Sequence, residues 1–105
     1  MALVEEVHLD DIGTVFRVTM YDGSDLLDIS AATDMKIIFQ KADASVVEKT
    51  AVHYTDGTDG KMQYVSASGD LNIAGNWKIQ AFVQLPSGQW KSNIEKFKVY
   101  KNIGS

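Results

Sequence analysis

Cysteine is absent from the 105 residues of this sequence. Its absence excludes a disulfide framework, a thiolate metal site and a thiol nucleophile, so packing alone must hold the fold together. Long apolar runs are also absent, and in the N-terminal "MALVEEVHLDD" acids directly follow the apolar residues. We therefore expect neither a signal peptide nor a membrane span, and a soluble protein made in a cytoplasm.

Basic charge is scarce. Fourteen Asp and Glu outweigh ten Lys and Arg, which gives a net charge of −4 at pH 7. The basic residues are scattered along the chain rather than striped, so we expect no nucleic-acid partner and no membrane partner. The length fits one domain, residues 1–105, and a domain of this size buries about two thirds of the surface of its unfolded chain.

What the sequence does contain is a regular alternation of apolar and polar residues. In "TVFRVTMYD", Phe16, Val18 and Met20 share one face, while Arg17 and Thr19 share the other. A period of two is typical of a half-buried strand. About seven segments show it: "LVEEVHL", "TVFRVTMYD", "MKIIFQK", "SVVEKTAVHYT", "KMQYVS", "NWKIQAFVQL" and "QWKSNIEKFKVYK". With Gly or Pro turns between them, they predict one all-β antiparallel sandwich or small barrel.

The segment "AGNWKIQAFVQLPSGQW", residues 74–90, has the pattern of a central hairpin. One face carries Trp77, Ile79, Ala81, Val83 and Leu85, which we expect in the core, and Phe82 falls on the opposite face. In the strand that follows this turn, "QWKSNIEKFKVYK", the apolar residues change from one face to the other near residues 95–96. A β-bulge there would let both parts of the strand face the core. In "DISAATD", residues 28–34, one short helical turn capped by Ser30 is predicted.

Three residues form a candidate structural corner. In "GDLNIAGNW", Asp70, Gly75 and Trp77 give an acid, a short connection, a glycine and an aromatic residue at the entry to a strand. This is the layout of the corner of immunoglobulin-like sandwiches, where Tyr is usual. The indole N–H of Trp77 can donate to a loop carbonyl, as a Tyr hydroxyl does, but it cannot accept.

Residues that could carry chemistry are few. His8 and His53 lie in different strands without metal-ligand spacing, and no nucleophile motif surrounds any serine. The acidic pairs at strand ends lack a calcium-loop pattern, and "DGTDG" is more simply a turn in which Asp side chains bind their own backbone. We expect no catalytic residue, no metal site and no cofactor.

Surface aromatics are the main candidates for binding. We expect Tyr21, Tyr54, Phe82 and Trp90 to lie outward or near turns, where they could stack on sugars or contact a protein neighbour. The alternative for each of them is packing under a loop. The N-terminal Leu3, Val4 and Val7 could form an arm that adds a strand to a neighbour, or an ordinary first strand of the sandwich.

Several segments resemble a known family: "GTVFRV", "DISAAT", "IIFQK", "DGKMQY", "GDLNIAGNWKIQA" and "LPSGQW". Together they resemble the immunoglobulin-like domain of tailed-phage virion proteins, typified by the N-terminal domain of the baseplate upper protein. The resemblance covers nearly the whole chain. It implies an immunoglobulin-like β-sandwich that is a non-enzymatic structural protein of the tail or baseplate.

The resemblance also implies a setting. Partners would be other phage virion proteins, in repeated copies of a symmetric assembly, and the protein would reside in the virion after assembly in the bacterial host cytoplasm. Family members usually continue into a coiled-coil stalk, whereas this sequence ends at "KNIGS", so we expect a freestanding virion accessory protein. The alternatives are a capsid decoration or head-fibre protein, and a carbohydrate-binding module that recognises the host surface.

Overall fold

The computed structural model describes residues 7–102, and within them every regular element is a β-strand. That part of the chain therefore offers no helix with the length and apolar character to cross a membrane. The strands are β1 (Val7–His8), β2 (Val15–Thr19), β3 (Tyr21–Asp22), β4 (Asp25–Leu26), β5 (Asp34–Gln40), β6 (Val46–Thr50), β7 (Val52–His53), β8 (Lys61–Val65), β9 (Gly75–Leu85), β10 (Gly88–Lys91) and β11 (Glu95–Tyr100).

The strands form two packed sheets and one small hairpin. The six-stranded sheet has the order β1, β11, β9, β5, β6, with β10 pairing β9 beyond the end of β11. The three-stranded sheet has the order β2, β8, β7, and β3 pairs β4 as a separate hairpin. All of these pairings are antiparallel except that of β1 with β11, which is parallel. The predicted all-β sandwich is confirmed.

The core lies between the two sheets, where the alternation of the sequence places it. Phe16 of β2 and Phe39 of β5 meet there, with ring centroids 5.0 Å apart and nearly perpendicular planes. The inward residues of β9 are all buried: Trp77, Ile79, Ala81, Val83 and Leu85. Because one face of each strand supplies the apolar side chains, burying that face fixes the register of every pairing.

One predicted strand divides between the sheets. Residues 45–55 were predicted as a single strand, but β6 belongs to the six-stranded sheet and β7 to the three-stranded sheet. The chain crosses at Ala51, which is 3% exposed and whose amide donates to the Met35 carbonyl at 3.0 Å. Because this position is buried, a larger side chain would have to displace its neighbours.

The last predicted strand is interrupted. Lys91 of β10 lies opposite Phe82 of β9, while Glu95 of β11 lies opposite Ile79, so residues 80 and 81 face residues 92, 93 and 94. Three residues of this segment therefore face two residues of β9, and such an extra residue in one strand is a β-bulge. The predicted change of face is confirmed, although it comes slightly earlier in the chain than expected.

Ser92 fills this interruption. Its amide donates to the Ala81 carbonyl at 2.9 Å, and its hydroxyl accepts the Ala81 amide at 2.8 Å. The Gln80 side-chain amide also donates to the Ser92 carbonyl at 2.9 Å. Two backbone groups at the bulge, the Ala81 amide and the Ser92 carbonyl, are therefore satisfied by a serine and a glutamine side chain.

The turns are held by short polar side chains. In "DGTDG", Asp56 accepts the Thr58 amide at 3.0 Å and Asp59 accepts the Lys61 amide at 3.1 Å, as the sequence predicts for a self-bonded turn. The predicted helical turn at residues 28–34 is wrong, because those residues contain no helix. Asp28 instead accepts the Ser30 amide at 2.9 Å and makes a tight turn, so Ser30 is not a helix cap.

Candidate interaction surfaces

The Asp70 carboxylate binds three partners, and two of them come from separate strands. One of its oxygens accepts the Tyr64 hydroxyl and also the Ala67 amide at 2.8 Å. Its other oxygen pairs with the Lys49 ammonium at 3.0 Å. Lys49 reaches it because this residue lies opposite Ile37 on the inward face of the edge strand β6. Three separate segments of chain are therefore joined at one carboxylate.

The electrostatics of this group follow from its partners. Burial acts to raise the pKa of Asp70, but the bonds from Tyr64, Ala67 and Lys49 outweigh it and hold that pKa below its ordinary value. Burial and the adjacent carboxylate raise the pKa of Tyr64 to about 12. Asp70 is thus charged and Tyr64 neutral at neutral pH, and the carboxylate already accepts from all of these donors. This arrangement anchors a loop and offers no free base.

Trp77 lies beside this group and closes the same loop. Its indole N–H donates to the Ile73 carbonyl at 2.9 Å, and the side chain is 2% exposed. Gly75 has a φ of +130°, and an added Cβ there would lie 2.8 Å from the Cβ of Ala42. A residue with a side chain is strained at that position for both reasons. The contribution of Asp70, Gly75 and Trp77 to stability stays a prediction.

A small cleft of about 100 Å³ opens next to Trp77 and Asp70. Lys41 stands at its edge, with its ammonium 5.8 Å from the centre of the Trp77 ring and 2.8 Å from the Asn72 side-chain oxygen. Ser66 also lines the cleft, but its hydroxyl donates to the Asp11 carbonyl and accepts the Thr14 amide. The polar groups here bind the protein itself.

The two histidines contact other parts of the protein. The His53 ring donates from Nε2 to the Ile29 carbonyl at 2.8 Å, which ties β7 to the loop before β5. His8 packs against Tyr100, with ring centroids 5.9 Å apart. Among residues 7–102, no group of three His, Asp or Glu side chains is arranged to hold a metal ion.

Three of the predicted binding residues lie at the surface. Tyr21 is 53% exposed on the β3–β4 hairpin, and Tyr54 is 43% exposed after β7. The Arg17 guanidinium lies 3.6 Å above the centre of the Tyr54 ring, so one side of that ring is already covered. Phe82 is half-buried on the outer face of the six-stranded sheet, between Lys36 and Lys91 of the neighbouring strands.

Two other predicted binding residues point toward the core. Val7 is 1% exposed and lies opposite Val99 in β11, because it is the first core residue of β1 and not part of a free arm. Trp90 lies opposite Val83 on the inward face, where it packs against the core and over Gly88. Leu3 and Val4 lie outside the described residues.

Sequence reasoning missed a second exposed surface, the outer face of the three-stranded sheet. Val52 is 57% exposed and Val65 is 46% exposed there, on either side of Gln63. Arg17 crosses the same face and its guanidinium donates to the Gln63 side chain at 3.3 Å. Strand alternation places these valines outward, so the signal was present, but it becomes visible only once the strands are paired.

A comparison with curated proteins finds no match for this chain. Residues 8–104 match the family described as the BppU N-terminal domain, the N-terminal domain of the baseplate upper protein. The match spans nearly all of the sequence and confirms the resemblance carried by its turn and core motifs. This family is a structural domain of the phage baseplate and is not known to be enzymatic. The chain belongs to the BppU N-terminal domain family and is a structural component of a phage baseplate or tail.

Proposed function

We propose that this domain is an immunoglobulin-like building block of the virion. It would make non-enzymatic contacts with other virion proteins and be repeated by the symmetry of the particle. The observation that carries the proposal is the family match over residues 8–104, combined with exposed apolar side chains on both outer sheet faces. A structural component needs such surfaces and requires no catalytic group.

The order of the strands supports the immunoglobulin-like part of the proposal. In such domains strands C, F and G form one sheet, and B, E and D belong to the other. Here β5, β9 and β11 occupy the first set of places, and β2, β8 and β7 the second. β6 then stands where variable-type domains add a strand beside C. The Trp77 bond to the loop before β9 also matches the position of the corner aromatic.

The outer face of the three-stranded sheet supports the contact part of the proposal. Val52, Val65 and the rim of Tyr54 give it an apolar centre, and Arg17 supplies a cation fixed by its contacts with Gln63 and Tyr54. Arginine and tyrosine are enriched at protein interfaces, where they act as anchors. A fixed side chain loses little conformational freedom on binding, which favours association.

Purified phage particles provide the test. Mass spectrometry should detect the chain in the particle, and electron microscopy should place its density at the baseplate or tail in symmetric copies. The double variant Val52→Glu with Val65→Glu should fold and yet be lost from particles, while Ser68→Glu, an exposed loop control, should be retained. Density on the capsid, or absence of the wild-type chain from particles, would contradict the proposal. If the purified chain bound host glycans and was absent from particles, the carbohydrate-binding alternative would be favoured.

A further inference from the structure

The lysines gather on one face of the folded protein, although they look scattered in sequence. Five of the ten basic residues point outward from the six-stranded sheet, as the register of its strands shows: Lys36, Lys78, Lys91, Lys96 and Lys98. Two carboxylates share this face, Asp34 and Glu48, and both lie near Lys36, at 3.7 and 3.5 Å. An acidic protein thus presents one basic surface, which we call the lysine face.

Two of these lysines are placed unfavourably. Lys78 of β9 lies directly opposite Lys96 of β11 on the same side of the sheet. Among residues 7–102, no carboxylate lies within 4.0 Å of either ammonium group. Like charges directly opposite one another destabilise a sheet. A negatively charged partner at this position would remove that repulsion.

The lysine face also has an apolar centre. Ile38 and Ile94 flank a shallow depression of about 170 Å³ beside Lys78, and Ile94 is 58% exposed. Phe82 lies further along the same face of β9. An apolar centre with a charged rim is the arrangement of a protein interface, whereas a polyanion would require no apolar centre.

The β3–β4 hairpin has the complementary chemistry. Asp22 lies directly opposite Asp25, and neither has an ammonium or guanidinium group of residues 7–102 within 4.0 Å. The next pair of the hairpin is Tyr21 with Leu26, which are 53% and 49% exposed. The hairpin therefore repeats the features of the lysine face with the opposite charge: a like-charge pair next to exposed apolar side chains.

We propose that the β3–β4 hairpin of one copy docks on the lysine face of the next copy. Asp22 and Asp25 would pair with Lys78 and Lys96, and the apolar pair would cover the depression. The two patches differ, so the contact is heterologous and generates a ring or a filament, depending on whether its rotation closes. This proposal rests on the repeated copies of the proposed function and names the surfaces that join them.

Charge reversal tests the contact on the purified chain. Sedimentation velocity should show self-association that increases with protein concentration and weakens with added salt. Lys78→Glu with Lys96→Glu should weaken it by about tenfold or more, and Asp22→Lys with Asp25→Lys should do the same, because each variant places like charges at the contact. Ser68→Glu should associate as the wild type does. Circular dichroism verifies that each variant is folded.

Mixing the two reversed variants is the decisive experiment. Each variant retains one original patch and carries one reversed patch. Two copies of the same variant repel each other at this contact, but each patch of one variant is complementary to a patch of the other, so the mixture should associate again. Misfolding of either variant would prevent this restoration. A wild type that stays monomeric at low salt, association that neither reversal weakens, or a mixture that stays dissociated would each overturn the proposal. None of these results affects whether the chain is found in particles, so the proposed function is tested separately.

Discussion

The two ends of the sandwich use their carboxylates in different ways. At the end formed by the loops 9–14 and 66–74, Asp70 binds groups from β6, β8 and its own loop. At the opposite end, around residues 20–33 and 54–60, Asp28 and Asp56 accept only from their own turns. Hydrogen bonds within a turn lower the pKa of both of these acids.

The difference separates a charge that maintains the fold from charges that remain at the surface. Removing Asp70 would leave the Tyr64 hydroxyl, an amide and an ammonium group without their acceptor, whereas removing Asp56 affects one turn. Charges of the second kind can take part in binding without loss of stability. The hairpin end is therefore the place where an acidic surface can serve assembly.

The largest effect is expected at the core residue of the Asp70 end. Trp77→Ala should lower the free energy of unfolding by about 3 to 5 kcal/mol, because it empties a buried site. Phe82→Ala, on the outer face of the same strand, should lower it much less. Denaturant unfolding of the purified variants measures both. If Phe82→Ala melts as early as Trp77→Ala, the assignment of inner and outer faces is wrong.

The next effect distinguishes the carboxylates themselves. Asp70→Ala should lower the free energy of unfolding by about 2 kcal/mol, since hydrogen bonds to a charged acceptor are lost and the part-buried Tyr64 hydroxyl loses its partner. Asp56→Ala is the matched control in a turn at the other end and should lower it less. If both variants lost the same free energy of unfolding, the carboxylates at the two ends of the sandwich would not differ in their contribution to stability.

Alkaline pH provides a smaller effect from the same group. The pKa of Tyr64 is raised to about 12 from its ordinary value of 10.0, so its neutral form is favoured in the folded protein. The resulting stability is complete below pH 10 and is lost as the pH rises toward 12. Melting temperatures across this range should fall more steeply for the wild type than for Tyr64→Phe. Parallel curves would show that Tyr64 does not contribute.

The smallest effect is expected at the hairpin. Asp22→Lys with Asp25→Lys should change the free energy of unfolding by no more than about 0.5 kcal/mol, because exposed charges away from the core contribute little to stability. Thermal melts at a protein concentration too low for association measure this. A loss as large as that of Asp70→Ala would mean that the hairpin end is also needed for the fold.

Alternation in the sequence was enough to predict the inner faces. Phe16, Val18 and Met20 are buried as predicted, since a strand with one apolar face has only one way to bury it. At Val7 and Trp90 the sequence left two alternatives open, a surface for binding or a place in the packed sandwich. The pattern there was read from short or interrupted segments, and only pairing with β11 and β9 determines which side faces the core.

The Asp70 group could not have been predicted in full. The corner motif singled out Asp70, but its partners Tyr64 and Lys49 come from two other strands, and no local pattern links them. Lys49 is the instructive case, since a lysine on the inward face of a strand contradicts simple alternation. It is tolerated because β6 is an edge strand, and inward charges there also discourage pairing with foreign strands.

The crossover at Ala51 limits how the length of the chain can vary. The odd-numbered side chains point inward both before and after the crossover. Lys49 points inward in the first sheet, and His53 is directed to the Ile29 carbonyl in the second. Inserting or deleting a single residue here would turn His53 to solvent and Val52 to the interior. Changes of two residues preserve the parity, so this link can vary in length only by even numbers.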